Sequence, residues 1–199
     1  GLEMAFTAGL KKSQALARLD GSLGWTVTLC SGANYFIGNL KPQTAKEIFG
    51  GSAILGGSGG LFGTAEKTDG RYELNGKWRY ATGAPYLTHF TLNAKIMEDG
   101  KELSYADGSP KFLSFVVAAN EVEIVEDWNT MGLKASATHS FKVENVMVDE
   151  AYSFVYNRFH LNQSIFKIPF SVFADLTLWV NYIGMAEHLI EEASATGKA

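Results

Sequence analysis

Cysteine is all but missing from this sequence. Cys30 stands alone among 199 residues, so no internal disulfide can staple the fold, and a reducing compartment, the cytoplasm, is the expectation. Histidine is scarce too. His89 and His160 stand apart from other ligand-type residues, and His188 has Glu192 four residues on but no third ligand, so no metal site is expected. Basic residues never cluster and the net charge is -4, which leaves no face able to neutralise a phosphate backbone and excludes nucleic acid as a partner. No apolar run reaches the roughly 18–20 residues that a membrane span needs, because Gly residues or Asp175 interrupt the longest ones. Residues 1–12 also lack the charged-then-apolar layout of a signal segment. Neither a dinucleotide fingerprint, nor a P-loop, nor a Gly-x-Ser-x-Gly nucleophile elbow occurs, which argues against nucleotide hydrolysis and against a serine hydrolase.

What is present suits a globular chain with a real core: 46% apolar residues against 19% charged. Leu2, Phe6, Leu10 and Leu16 interleave with Lys11, Lys12 and Arg18, predicting an amphipathic helix over 2–19 that stops at Asp20-Gly21. A more apolar helix is expected within 22–40, and Pro42 opens a short one that ends before Gly50-Gly51. The period then changes from helical to two. With turn signals at Asp69-Gly70, Asn75-Gly76, Asp99-Gly100 and Asp107-Gly108, it predicts strands over 52–55, 63–68, 71–80, 88–97, 111–118, 121–126 and 139–147. So many short strands predict an antiparallel barrel-like or sandwich unit. The run Gly56-Gly57-Ser58-Gly59-Gly60 between the first two reads as a loop, either mobile or touching a ligand through its backbone. From about Ile165 the helical period returns, with Phe170, Phe173, Thr177, Val180 and Gly184 on one face. So apolar a helix cannot bury itself, and further helices downstream or in another subunit are expected to pack on it. The fold class expected is α+β: a helical segment over 1–50, a β unit over 51–150, and the start of a helical bundle over 151–199.

Three segments, in order, resemble the acyl-CoA dehydrogenase superfamily of flavoproteins. Asp20-Gly21-Ser22-Leu23-Gly24-Trp25 is similar to its Asp-Gly-Ser-x-Gly-Trp helix junction. Asn75-Gly76-Lys77-Trp78-Arg79-Tyr80-Ala81-Thr82-Gly83 resembles the strand that ends in an aromatic-x-Ser/Thr-Gly turn against the flavin. Trp128-Asn129-Thr130-Met131-Gly132-Leu133-Lys134-Ala135-Ser136-Ala137-Thr138-His139-Ser140 resembles its Trp-x-x-x-Gly-Leu-Arg-x-Thr-x-Ser stretch, and the strand that follows ends in Asp149-Glu150 where the family has Pro-Glu. The dehydrogenases carry one residue more between the Asn-Gly and the closing Gly than this chain does. The shorter spacing resembles the branch of reduced-flavin monooxygenases.

The resemblance implies FAD or FMN as cofactor, bound by Thr64, Trp78, Tyr80, Ala81, Thr82, Gly83, Trp128 and Thr138, with Thr82 offering its hydroxyl to the flavin edge and Asn34 facing the substrate. A flavin needs an apolar or aromatic surface beside its ring and hydrogen bonds along its polar edge, and the Tyr80–Gly83 turn combines both. The family's catalytic base lies in its C-terminal helical region, and no Glu or His of this chain matches it, so the chain reads as a fragment. The resemblance further implies a homotetramer and a flavin reductase or an electron-transfer flavoprotein as partner. Three functions are weighed: a flavin-dependent oxidoreductase of monooxygenase type, an acyl-CoA dehydrogenase oxidising an acyl thioester with FAD, and a flavin-free scaffold.

Overall fold

The structure, a computed structural model, describes residues 4–197. Helix α1 (Phe6–Leu19) and helix α2 (Gly21–Ala33) meet at Asp20. Its extended backbone ends the first helix, and its carboxylate accepts the Leu23 N–H at 2.7 Å to cap the second, so one residue makes the whole corner. Leu2, the predicted start of the first helix, lies outside the described residues. The second apolar segment is shorter as a helix than expected, because its last part tightens into a 3-10 turn at Asn34–Gly38. Helix α3 (Pro42–Phe49) starts on its proline as predicted.

Eight strands follow: β1 (Leu55–Thr68), β2 (Arg71–Ala81), β3 (His89–Glu98), β4 (Lys101–Glu102), β5 (Phe112–Ala118), β6 (Glu123–Val125), β7 (His139–Asp149) and β8 (Ser153–Phe154). They form one sheet in the order β6-β7-β2-β1-β3-β5-β8, with β4 attached to β3. The antiparallel barrel-like arrangement expected from the sequence is corrected on two counts. The sheet is open, and β1 runs parallel to β3 while pairing antiparallel with β2. Two-residue alternation reports a pleat, not the direction of a neighbour, so the parallel pair was not legible. The glycine-rich run is corrected too: instead of a loop it is the first half of β1, with register shifts between Gly57, Leu61 and Gly63. A Cβ at Gly57 would lie 1.9 Å from the Thr91 carbonyl, and one at Gly63 2.2 Å from the Trp78 ring, so these glycines let backbone approach backbone and indole.

One core lies under the sheet around Trp78, Phe90, Phe115 and Phe141. The second joins the sheet to the helices, where Tyr35 stacks on Phe173 at 4.6 Å and meets Phe166 and Phe159 edge-on. Helix α4 (Phe170–Thr196) begins after Pro169, with only a 3-10 turn at Ser164–Lys167 before it. It crosses α1 tightly: a Cβ on Gly184 would sit 2.3 Å from the Gln14 carbonyl, and one on Gly24 of α2 would sit 2.3 Å from Ala17. The opposite side of α4 exposes Trp179, Ile183, Leu189 and Ile190. Among the described residues no helix is long and apolar enough to cross a membrane, and no group of three His, Cys, Asp or Glu side chains could hold a metal ion.

Candidate active site

Strand β2 ends in an unusual turn. Tyr80 and Gly83 both have φ of 72°, the left-handed region that costs a residue with a side chain about 1–2 kcal/mol. The turn is held from below: Ala81 pairs with His139, and the Gly83 N–H donates to the Ser136 carbonyl at 2.9 Å. Its effect is to turn Tyr80 outward, 64% exposed, with its ring edge-on to Trp128 at 6.5 Å. Trp128 is itself fixed, its indole N–H donating to the Leu133 carbonyl and its backbone N–H to His139 Nδ1. That second bond requires the neutral His139 ring to carry its proton on Nε2.

Thr82 points the other way, into a buried chain of hydroxyls. Trp25 Nε1–H donates to Thr82 Oγ1 at 3.1 Å, Thr82 Oγ1 lies 3.1 Å from Thr138 Oγ1, and that atom lies 2.7 Å from Ser136 Oγ. A hydroxyl offers one donor and two acceptor positions. Two of the three at Thr82 are used, so one remains for a ligand. Cys30 packs beneath the turn and donates to the Thr82 carbonyl at 3.7 Å, and burial pushes its thiol pKa up.

Beside Thr82 lies a cavity of about 170 Å³. Its walls are α2 through Thr28, Leu29 and Gly32, the glycines of β1, the β3 residues Thr91 and Asn93, and the α4 residues Phe170, Phe173 and Thr177. Tyr156 and Phe170, also lining it, stack at 4.8 Å. Among the described residues no charged side chain lines it. Its polar groups mostly serve one another: Asn93 Oδ1 accepts from Ser114 and Tyr156, Asn93 Nδ2 donates to the Gly59 carbonyl, and the Thr91 and Thr177 hydroxyls donate to the carbonyls of Gly56 and Ala174. Thr28 is the exception, 3% exposed with a hydroxyl that has no partner among the described residues.

The structure therefore brings Tyr80, Ala81, Thr82, Gly83, Trp128 and Thr138 together, and leaves three expected residues elsewhere. Trp78 is fully buried, stacked on Phe141 at 5.5 Å with its N–H donated to the Asn93 carbonyl, so no face of it is open to a cofactor. Thr64 pairs with Asn75, six residues and about 20 Å along β2 from Ala81. Asn34 is exposed at the start of its 3-10 turn and does not line the cavity, whereas the preceding helical turns do. Sequence reasoning missed Trp25, Thr28 and Ser136 as site residues. Their signal was partly available, since Trp25, Thr28, Leu29 and Gly32 recur at helical spacing on one side of α2.

No family model matches the chain. Over 197 residues it is 29% identical to an indole-3-acetate monooxygenase of Pseudomonas putida, covering 98% of this chain and 49% of that protein. Among solved structures it is similar to the 3-HSA hydroxylase of Rhodococcus sp. RHA1, with a TM-score of 0.85 at 20% identity over 95% of this chain and 51% of that one. It is also similar to XiaF from Streptomyces sp. in complex with FADH2 and glycerol, with a TM-score of 0.69 at 23% identity over 91% of this chain and 45% of that one. The chain spans about half the length of the relatives it matches, and over that half it has the fold of these two solved structures.

Proposed function

We propose that the chain carries the flavin- and substrate-contacting part of a flavin-dependent monooxygenase that works with reduced FAD or FMN and molecular oxygen. The observation that carries this reading is the turn at Tyr80–Gly83, which turns an aromatic ring outward on one side and on the other sets Thr82, whose hydroxyl keeps one hydrogen-bonding position, at the wall of a cavity lined by no charged side chain among the described residues. The residues fit a flavin: Tyr80 and Trp128 offer aromatic surface for its ring, and Thr82, on the other side of the turn, a hydrogen bond to its polar edge. When bound, a reduced flavin supplies the electrons that activate oxygen.

The chain's own residues bind, orient and exclude water. Trp25 and Thr138 hold the Thr82 hydroxyl in place, and Ser136 holds the turn through the Gly83 N–H. Phe170, Phe173 and Tyr156 give the cavity aromatic walls that disfavour water beside the reacting centre. Support also comes from the names of the relatives, which are monooxygenases and hydroxylases. The two-component names among them favour a separate flavin reductase as partner over an electron-transfer flavoprotein. The exposed apolar side of α4 favours a homo-oligomer. The unit boundaries near residues 50 and 150 belong to the same reading.

The test supplies the protein with chemically reduced FAD or FMN, an aromatic substrate and ¹⁸O-labelled oxygen. Labelled hydroxylated product is expected. Bleaching of bound oxidised FAD by an acyl-CoA thioester, with no labelled product, would replace this reading with the dehydrogenase one.

A further inference from the structure

The segment between β6 and β7 carries Trp128, and little apolar burial holds it in place, since Glu126, Asp127, Asn129 and Met131 are all exposed. Two adjacent hydrogen bonds pin it to the start of β7 instead. The Ser140 N–H donates to the Asp127 carboxylate at 2.8 Å, and the Trp128 N–H donates to His139 Nδ1 at 3.1 Å. Asp127 suits its bond as the anion, and the bonds from Ser140 hold its carboxyl below the usual range. His139 has to be neutral. An imidazolium carries a proton on each nitrogen and leaves no lone pair to receive an N–H. The same residue is tied to both members of the aromatic pair: Trp128 stands edge-on to Tyr80, and Ala81, next to Tyr80, pairs with His139.

On the elements around His139, the bases are Lys77 and Arg79 of β2 and Lys134 of the 3-10 turn Lys134–Ser136, the acids are Glu126 and Asp127, and the phenols are Tyr80 and Tyr86. Glu123 of β6 is taken up by Lys142. Asp127 is the carboxylate bonded to the residue beside His139, so a protonated ring gains by leaving the Trp128 N–H and turning to Asp127. We infer that His139 is a positioning residue whose neutral ring holds Trp128 beside Tyr80, and that proton uptake by this ring releases the segment and weakens flavin binding. The inference rests on the aromatic pair being part of the flavin site in the reading above.

Two measurements on wild type and His139→Asn test it, both from about pH 8 to pH 5.5, where histidines commonly titrate. One is the hydrogen-exchange protection of the Trp128 amide in the flavin-free protein, corrected for the intrinsic pH dependence of exchange. The other is anaerobic titration with reduced FAD and FMN. Asn places an oxygen near the position of Nδ1 and accepts at every pH. Trp128 is expected to lose protection on acidification in wild type and to keep it in the variant. The ratio of the wild-type to the variant dissociation constant, which cancels any titration of the flavin itself, should rise about tenfold over the same range. A constant ratio while Trp128 opens would overturn the consequence for flavin and leave the monooxygenase reading standing. Protection of Trp128 that does not change with pH in wild type would overturn the inference whether or not His139→Asn folds, which its melting temperature reports. Wild type that binds neither flavin at any pH would defeat the monooxygenase reading and this inference with it.

Discussion

The indole N–H of Trp25 on α2 donates to the hydroxyl of Thr82 in the turn after β2, at 3.1 Å, and the Trp25 ring also packs on Tyr182 of α4 at 6.0 Å. One side chain therefore ties both helices to the turn. Trp25→Phe keeps the ring contact and removes the bond, so stability should fall by only about 1 kcal/mol, while reduced-flavin affinity should fall because Thr82 is free to turn away. Thermal melting alongside flavin titration separates the two effects.

Tyr80 occupies the left-handed region although it has a side chain. Tyr80→Gly removes about 1–2 kcal/mol of strain and adds roughly 0.5–1 kcal/mol of chain entropy cost, so the melting temperature should hardly move. Flavin affinity should nevertheless drop, by about tenfold, with the aromatic surface gone. A variant that melts as before and binds flavin as tightly as before would remove Tyr80 from the site.

Gly63 and Gly76 face each other under the Trp78 ring, with a Cβ on either landing within 2.7 Å of it. Gly63→Ala should cost about 1–3 kcal/mol by overpacking, a fall of roughly 2–12 °C in melting temperature. Gly51→Ala, with open space around it, is the control.

Asp127 accepts hydrogen bonds from Ser140, which hold its carboxyl below the usual carboxylate range. A carboxylate with a depressed folded-state pKa adds stability above its unfolded value near pH 4, and that stability is lost as the pH falls through the folded value. Asp127→Asn should therefore flatten the acid limb of the stability curve below about pH 4 and leave its alkaline side unchanged. Chemical denaturation measured from pH 2.5 to 7 checks this.

Much of the fold was legible because its signals are local. Pro42 at a helix start, Asp20 at a corner and the Asp-Gly turns act within a few residues, and α3, β2, β3 and β7 fall close to the predicted spans. The parallel β1–β3 pair was not legible, since pleat alternation is blind to strand direction, and the two-residue strands β4 and β8 are too short to alternate. For the site, the left-handed turn at Tyr80–Gly83 was found through resemblance. Trp78 was named through the same resemblance, and only the folded structure shows its ring buried against Gly63 and Gly76. Thr28 gave no signal of its own, because an unpaired hydroxyl becomes visible only once its surroundings are folded.

Anaerobic titration of the protein with reduced FAD and FMN, followed by fluorescence, tests the central claim most directly when wild type is compared with Thr82→Val and with the exposed α4 variant Leu189→Ala. The account predicts saturable binding of at least one of the two flavins, weakened about tenfold by Thr82→Val and unchanged by Leu189→Ala. Binding that Thr82→Val leaves untouched, or no binding of either flavin, would contradict it.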